Sequence, residues 1–158
     1  MSNRYAVILE SGSVLPEREL LVSEAWGSVP VSYVQDQEIF NECSFLDLKV
    51  NKWEVNSQWS SKQDLEPLIR IEKLTDEGLE EFLQQEGCRW SLDMAGKKLI
   101  IIEMDEGGGA VDDMLLMRLL SVFHARFKVY SCSDSIEELS DASFPTQQSV
   151  RDRLIKCE

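Results

Sequence analysis

The sequence predicts an α+β fold, a mixed β-sheet with hairpins and one β-α-β crossover on which about four helices pack. Three observations predict it. RYAVIL (4–9) and KLIIIEM (98–104) are short, nearly continuous apolar runs rich in β-branched residues, the pattern of strands buried on both faces. Apolar residues recur at helical spacing from 110 to 125, through Val111, Met114, Leu115, Leu119, Val122 and Phe123. A further strand, RFKVYSC (126–132), follows that helix at once, so 98–132 reads as strand, helix, strand, with parallel strands joined by a right-handed crossover. The length, 158 residues, matches a single domain over 1–158, enough to bury a core without disulfides or metal.

The elements follow in order. RYAVIL is the first strand, placed near the sheet centre by its two-sided apolar character. PERELLVSEAW (16–26) is a helix: Pro16 suits a first turn, Glu17 and Glu19 favour the positive end of the dipole, and Gly27 stops it. In SFLDLKVNKWEVNS (44–57), Leu46, Leu48 and Val50 share a face while Trp53 and Val55 sit on the opposite parity. A hairpin turning at Asn51 and Lys52 resolves the break by pairing Val50 with Trp53, Leu48 with Val55 and Lys49 with Glu54; a bulge is the alternative.

PLIRIEKL (67–74) alternates as a strand. Thr75 then caps a helix with Asp76 and Glu77 in its first turn, Leu74 and Leu79 placed as a staple, Leu79, Phe82 and Leu83 as its buried stripe, and Gly87 beyond its end. CRWSLDM (88–94) alternates through Trp90, Leu92 and Met94 and forms a second hairpin with 98–104 across AGK. After the crossover unit and an acidic link, Pro145 opens a last helix with Val150, Leu154 and Cys157 on one face.

EMDEGGGAVDD (103–113) stands where many proteins cradle a phosphate, between a strand and a helix. A phosphate loop needs helix N-terminal amides and a lysine with a hydroxyl, as in GxxxxGK[ST]. Here Glu103, Asp105, Glu106, Asp112 and Asp113 surround the glycines with no base nearer than Arg118, and Asp112 takes the last glycine position of GxGxxG. ATP, GTP and NAD are therefore excluded as ligands, and no cofactor is expected. Gly107 to Gly109 serve as a turn, with Asp112 and Asp113 favourable to the helix dipole. The loop also lacks the D-x-D-x-D spacing of an EF-hand.

No catalytic set is legible. The single histidine, His124, ends the apolar helix, and Cys132 lies roughly 15 Å or more away along the next strand, so a local Cys-His dyad fails. Cys43, Cys88, Cys132 and Cys157 form no CxxC pair and read as free thiols. There is no GxSxG elbow, and the carboxylates are too numerous to single out a pair. Trp53 and Trp90 alternate with core residues. Trp59, in the polar stretch NSQWSSKQD, is instead a candidate contact residue.

Sixteen basic against 29 acidic residues give a net charge of −13, which disfavours nucleic acid and anionic membranes. The N-terminal stretch lacks the pattern of a signal peptide and no apolar run could span a bilayer, so a cytoplasmic location is expected. The acids cluster in TDEGLEEFLQQE (75–86) and DSIEELSD (134–141), which carry no base. The expectation is a non-enzymatic, acidic protein-binding module with a basic protein partner. Inhibitors that neutralise a basic enzyme, such as immunity proteins against nuclease toxins, have this size and charge. Its contact residues are expected to be Asp105, Glu106, Asp112, Asp113, Asp134, Glu137, Glu138, Asp141 and Trp59, with both acidic clusters leaving the sheet at one end. The alternatives are a carboxylate-based metal-dependent enzyme, a small-ligand-binding protein and a homo-oligomer subunit.

Overall fold

The computed structural model describes residues 4–62, 67–86, 94, 96–105, 109–132, 136–140, 144 and 149–156. In chain order the elements are β1 (Arg4–Leu9), α1 (Arg18–Trp26), β2 (Val31–Gln35), a 3-10 turn (Phe40–Glu42), β3 (Phe45–Val50), α2 (Lys52–Val55), α3 (Trp59–Lys62), β4 (Ile69–Leu74), α4 (Asp76–Glu86), β5 (Lys98–Met104), α5 (Ala110–His124), β6 (Lys128–Cys132), β7 (Ile136–Glu138) and α6 (Val150–Lys156). The fold is α+β. Among the described residues seven strands form one sheet in the order β2-β3-β4-β5-β1-β6-β7.

β1 and β5 sit side by side in the middle, with Arg4 opposite Glu103 and Leu9 opposite Lys98. Their continuous apolar runs have the predicted cause. The pleat sends Val7, Leu9, Ile100 and Ile102 into a large core on one face, and Ala6, Ile8, Leu99 and Ile101 into a smaller core on the other. α1 and α5 cover the first face, locked together where the Trp26 indole Nε1 donates to the Leu115 carbonyl at 2.8 Å. α4 covers part of the second face through Leu79, with Phe82 and Leu83 beside it. Val150 and Leu154 of α6 reach the first core. Among the described residues, no helix is long and apolar enough to cross a membrane.

Three expectations are corrected. The sheet is antiparallel at every ladder, not mixed. β5 and β6 do run in the same direction on either side of the α5 crossover, but β1 lies between them and pairs antiparallel with both. A crossover sets the relative direction of its two strands and leaves their adjacency open. β1, apolar on both faces, fills the gap.

The hairpin at Asn51 and Lys52 does not form. β3 ends at Val50 and the chain turns into α2, so the parity break marks a change from the strand period to a helical turn. β3 pairs instead with β2 and β4. The second hairpin is also overturned, because β5 carries β4 on one edge and β1 on the other and has no edge left for residues 88–94. Of those residues Met94 is buried, and 88–93 lie outside the described residues, as do Gly87, Pro145 and Cys157.

Candidate partner-binding site

The glycine-loop carboxylates separate into two kinds. Asp105 is exposed, and its Oδ2 accepts a bond from the Leu68 amide at 3.2 Å. Asp113 is exposed as well, close enough to Tyr5 that burial first and the Asp113 charge second raise the phenol above its ordinary value. Asp112 is only 3% exposed. Its Oδ1 lies 2.7 Å from Lys52 Nζ, and its Oδ2 accepts from the Gly109 amide at 2.9 Å. Asp112 thus closes the N-terminus of α5 and pairs with a buried lysine, and the expectation that it contacts a partner is corrected.

Trp59 is corrected for the same reason. It is 7% exposed, its Nε1 donates to the Leu154 carbonyl at 2.8 Å, and its ring lies 5.3 Å from Lys52 Nζ. A polar sequence context did not expose it, because its packing partners come from the far end of the chain. Trp53, expected in the core through the hairpin that does not form, is 50% exposed on α2.

At the other acidic cluster, Glu137 and Glu138 lie exposed on β7, paired with Ser131 and Tyr130 of β6. Burial and then the Glu138 charge raise the Tyr130 phenol. β5 and β6 end at the same end of the sheet, but β7 turns back along β6 and carries its glutamates along the sheet side. Three interstrand spacings, roughly 14 Å, separate β5 from β7. Glu106, Asp134 and Asp141 lie outside the described residues.

The geometry draws attention to the opposite side of the sheet, at β2. Val31, Tyr33 and Gln35 share the face of their β3 partners Val50, Leu48 and Leu46, and so look towards α1. Between β2 and α1 runs a groove of about 430 Å³ lined by Val22, Val29, Val31, Tyr33 and Leu48 among others. Arg18 of α1 bounds it, with its guanidinium 3.6 Å from the centroid of Tyr33, Nη1 donating to Gln35 Oε1 at 2.7 Å and Nη2 to Glu19 Oε1 at 2.5 Å. Gly27, at φ 73° and ψ −149°, turns the chain out of α1 along the groove, a conformation open in practice to glycine alone. Tyr33, which lines it, is left exposed, as are Val34 on the opposite face of β2 and Ile39 in the loop after β2.

The groove itself is lined by one ion pair, Arg18 with Glu19, and Glu17, Glu38 and Glu42 are exposed on the β2 side of the sheet around it. Between residues 10 and 48 the sequence holds Glu10, Glu17, Glu19, Glu24, Asp36, Glu38, Glu42 and Asp47 against a single base, Arg18, but in the fold Glu10 pairs with Lys97, Glu19 with Arg18, Glu24 with Arg126 and Asp47 with Arg70. That imbalance was legible without coordinates, but the acids are spread along 39 positions and form no run. Asp36 closes the loop after β2, its Oδ1 accepting from the Ser44 amide at 2.8 Å and the Phe45 amide at 3.3 Å. Partial desolvation pushes its carboxyl up, while the amides of Phe45, Ser44 and Asp36 itself with the Ser44 hydroxyl together outweigh that and hold it below the usual value.

No family model matches the chain, and no curated protein or solved structure matches it either. The site must be judged on its own chemistry. A second hollow, of about 420 Å³, lies among Asp47, Leu68, Arg70, Glu103, Met104 and Asp105 on the partly open sheet face. There the register sets Asp47, Arg70, Glu103 and Arg4 side by side across β3, β4, β5 and β1. Charges alternate along that row. Arg70 binds Asp47 with two bonds of 2.7 and 2.9 Å, which raise its pKa through the hydrogen bonds first and the carboxylate charge second, and Arg4 stands 3.5 Å from Glu103. The row pairs its own charges, Asp47 with Arg70 and Glu103 with Arg4.

Among the described residues no group of three or more His, Cys, Asp or Glu side chains is placed to hold a metal ion. Cys43 and Cys132 are buried thiols outside any disulfide, and Cys88 lies outside the described residues. His124 packs against Phe144 with the two rings tilted by 51°, and Phe144 packs against the first core, whereas Cys132 belongs to the second, so the sheet stands between them.

Proposed function

We propose that this protein acts by binding and occupying a basic protein, as an inhibitor or an immunity protein against a nuclease toxin does. The observation that supports this reading is the apolar groove between α1 and β2, with Glu17, Glu38 and Glu42 exposed on the same side of the sheet. An apolar centre supplies affinity once water is excluded, and a rim of one charge sign speeds the encounter and selects partners of the other sign. The overall charge of −13 acts in the same direction at longer range.

The test is capture on immobilised protein followed by a salt gradient. A partner with a strongly basic surface should be retained at about 0.05 M salt and released well below 1 M, where the screening length has shrunk to about 3 Å. Retention of an acidic partner, or retention indifferent to salt, would overturn the reading.

A further inference from the structure

We propose that the basic partner docks by adding an extended segment as an eighth strand on the outer edge of β2, with an apolar side chain of that segment entering the α1–β2 groove. This rests on the reading that the partner is a basic protein. A seven-stranded sheet has two edges, and here they differ. β7 has three residues, two of them glutamates, and a short charged edge is poorly suited to pairing. β2 has five residues, VSYVQ, with no charge at all.

The register shows which backbone groups β2 offers. The Asn51 amide donates to the Pro30 carbonyl at 2.9 Å, so residues 30 and 51 form a bonded pair, and alternation makes 32 with 49 and 34 with 47 the next bonded pairs. The N–H and C=O groups of Val31, Tyr33 and Gln35 therefore point to the outer edge. A strand added there continues the sheet, and its alternate side chains come to lie on the groove side next to Val31 and Tyr33. Charge decides the occupant. A second copy of this chain, also at −13, would bring like charge against like charge, whereas lysines or arginines flanking the added strand would meet the exposed Glu17 and Glu38.

A capped peptide of about eight residues alternating lysine with valine is the probe, with two versions N-methylated at one or the other alternate set of amides. At low salt the parent peptide should bind, and hydrogen exchange at the Val31, Tyr33 and Gln35 amides should slow about tenfold, while Ser32 and Val34, already bonded to β3, change little. One methylated version should lose about tenfold or more in affinity, and the other should stay within about twofold of the parent. If the parent binds with a salt dependence but both methylated versions match it, strand addition is wrong and the acidic-surface reading stands. If the parent does not bind even at low salt, both fail.

Discussion

Lys52 Nζ stands 2.7 Å from Asp112 Oδ1 with both side chains sealed from solvent, and the pair ties the turn after β3 to the first turn of α5. Burying both charges costs desolvation that their attraction repays only in good geometry, so the pair is sensitive to loss of one partner. Lys52→Met should cost about 3–5 kcal/mol, because it leaves the Asp112 carboxylate buried without this cation. Lys52→Met combined with Asp112→Leu should recover most of that. Urea unfolding of the two variants checks it, and a loss below about 1 kcal/mol in the single variant would show that water or another group replaces Lys52.

Sequence pattern located the elements whose burial is periodic and local. β1, β4 and β5 and the helices α1, α4 and α5 all announce themselves within their own residues, because each carries its apolar stripe at its own period. β2 does not, since its residues are half-buried or exposed and VSYVQ shows no alternation. β7 was hidden by its glutamates inside an acidic stretch. Asp112 and Lys52 are 60 positions apart, and nothing in either neighbourhood marks them as a buried pair. The groove was half legible. The acids near it could be counted from the sequence, but their pairing with Lys97, Arg126 and Arg70 needs the fold, and its apolar wall needs Val22, Tyr33 and Leu48 brought together by the sheet order.

The two exposed-or-buried tryptophan assignments can be read out by stability. Trp59→Phe removes the donor to the Leu154 carbonyl and should cost about 1–3 kcal/mol by leaving that buried acceptor without the indole. Trp53→Ala, on an exposed site, should change stability by no more than about 0.5 kcal/mol. Thermal unfolding of both variants decides it, and the reverse order would contradict the packing described here.

The glycines at the ends of α1 and α5 should behave differently. Gly27→Ala forces an L side chain into a backbone region essentially reserved for glycine and should cost about 1–3 kcal/mol. Gly109 has extended backbone and open space where a Cβ would stand, so Gly109→Ser should be tolerated and add a few tenths of a kcal/mol by capping α5. Calorimetry should also find no micromolar binding of ATP, GTP or NAD by the unaltered protein. Nucleotide binding lost in Gly109→Ser would reopen a phosphate role for the loop.

Asp36 and Glu24 give the acid limb of stability a definite sign. Both carboxyls are held below their ordinary values, Glu24 chiefly by the hydrogen bond from Arg126 and Asp36 by the amide bonds that outweigh its desolvation. A depressed folded-state pKa contributes stability that is present above the unfolded value and is lost as pH falls through the folded one. The melting temperature should therefore drop as pH falls below about 4, and Asp36→Asn should flatten that slope while lowering the plateau near neutrality. An unchanged slope in Asp36→Asn would mean that the carboxylate does not hold the loop after β2.

The two acidic surfaces make opposite claims on the partner, and a pair of variants separates them. Glu17, Glu38 and Glu42 are exposed around the β2 side of the sheet, and Glu137 and Glu138 are exposed on β7 at the other edge. Asp112 must be left out of either set, since its loss would disturb the fold through Lys52. All five side chains are solvated, so neutralising them should move the melting temperature little. Encounter is different, because the rate depends on charge near the docking surface and falls off within a screening length of about 8 Å at physiological salt. Changing Glu17, Glu38 and Glu42 to Gln should slow association with the captured partner severalfold at low salt and flatten its salt dependence, while Glu137→Gln with Glu138→Gln, beyond the far side of the sheet, should do much less. Stopped-flow association at several salt concentrations measures both. If the β7 variant is the slower one, the partner approaches the edge that sequence clustering singled out, and the groove beside β2 is not its docking site.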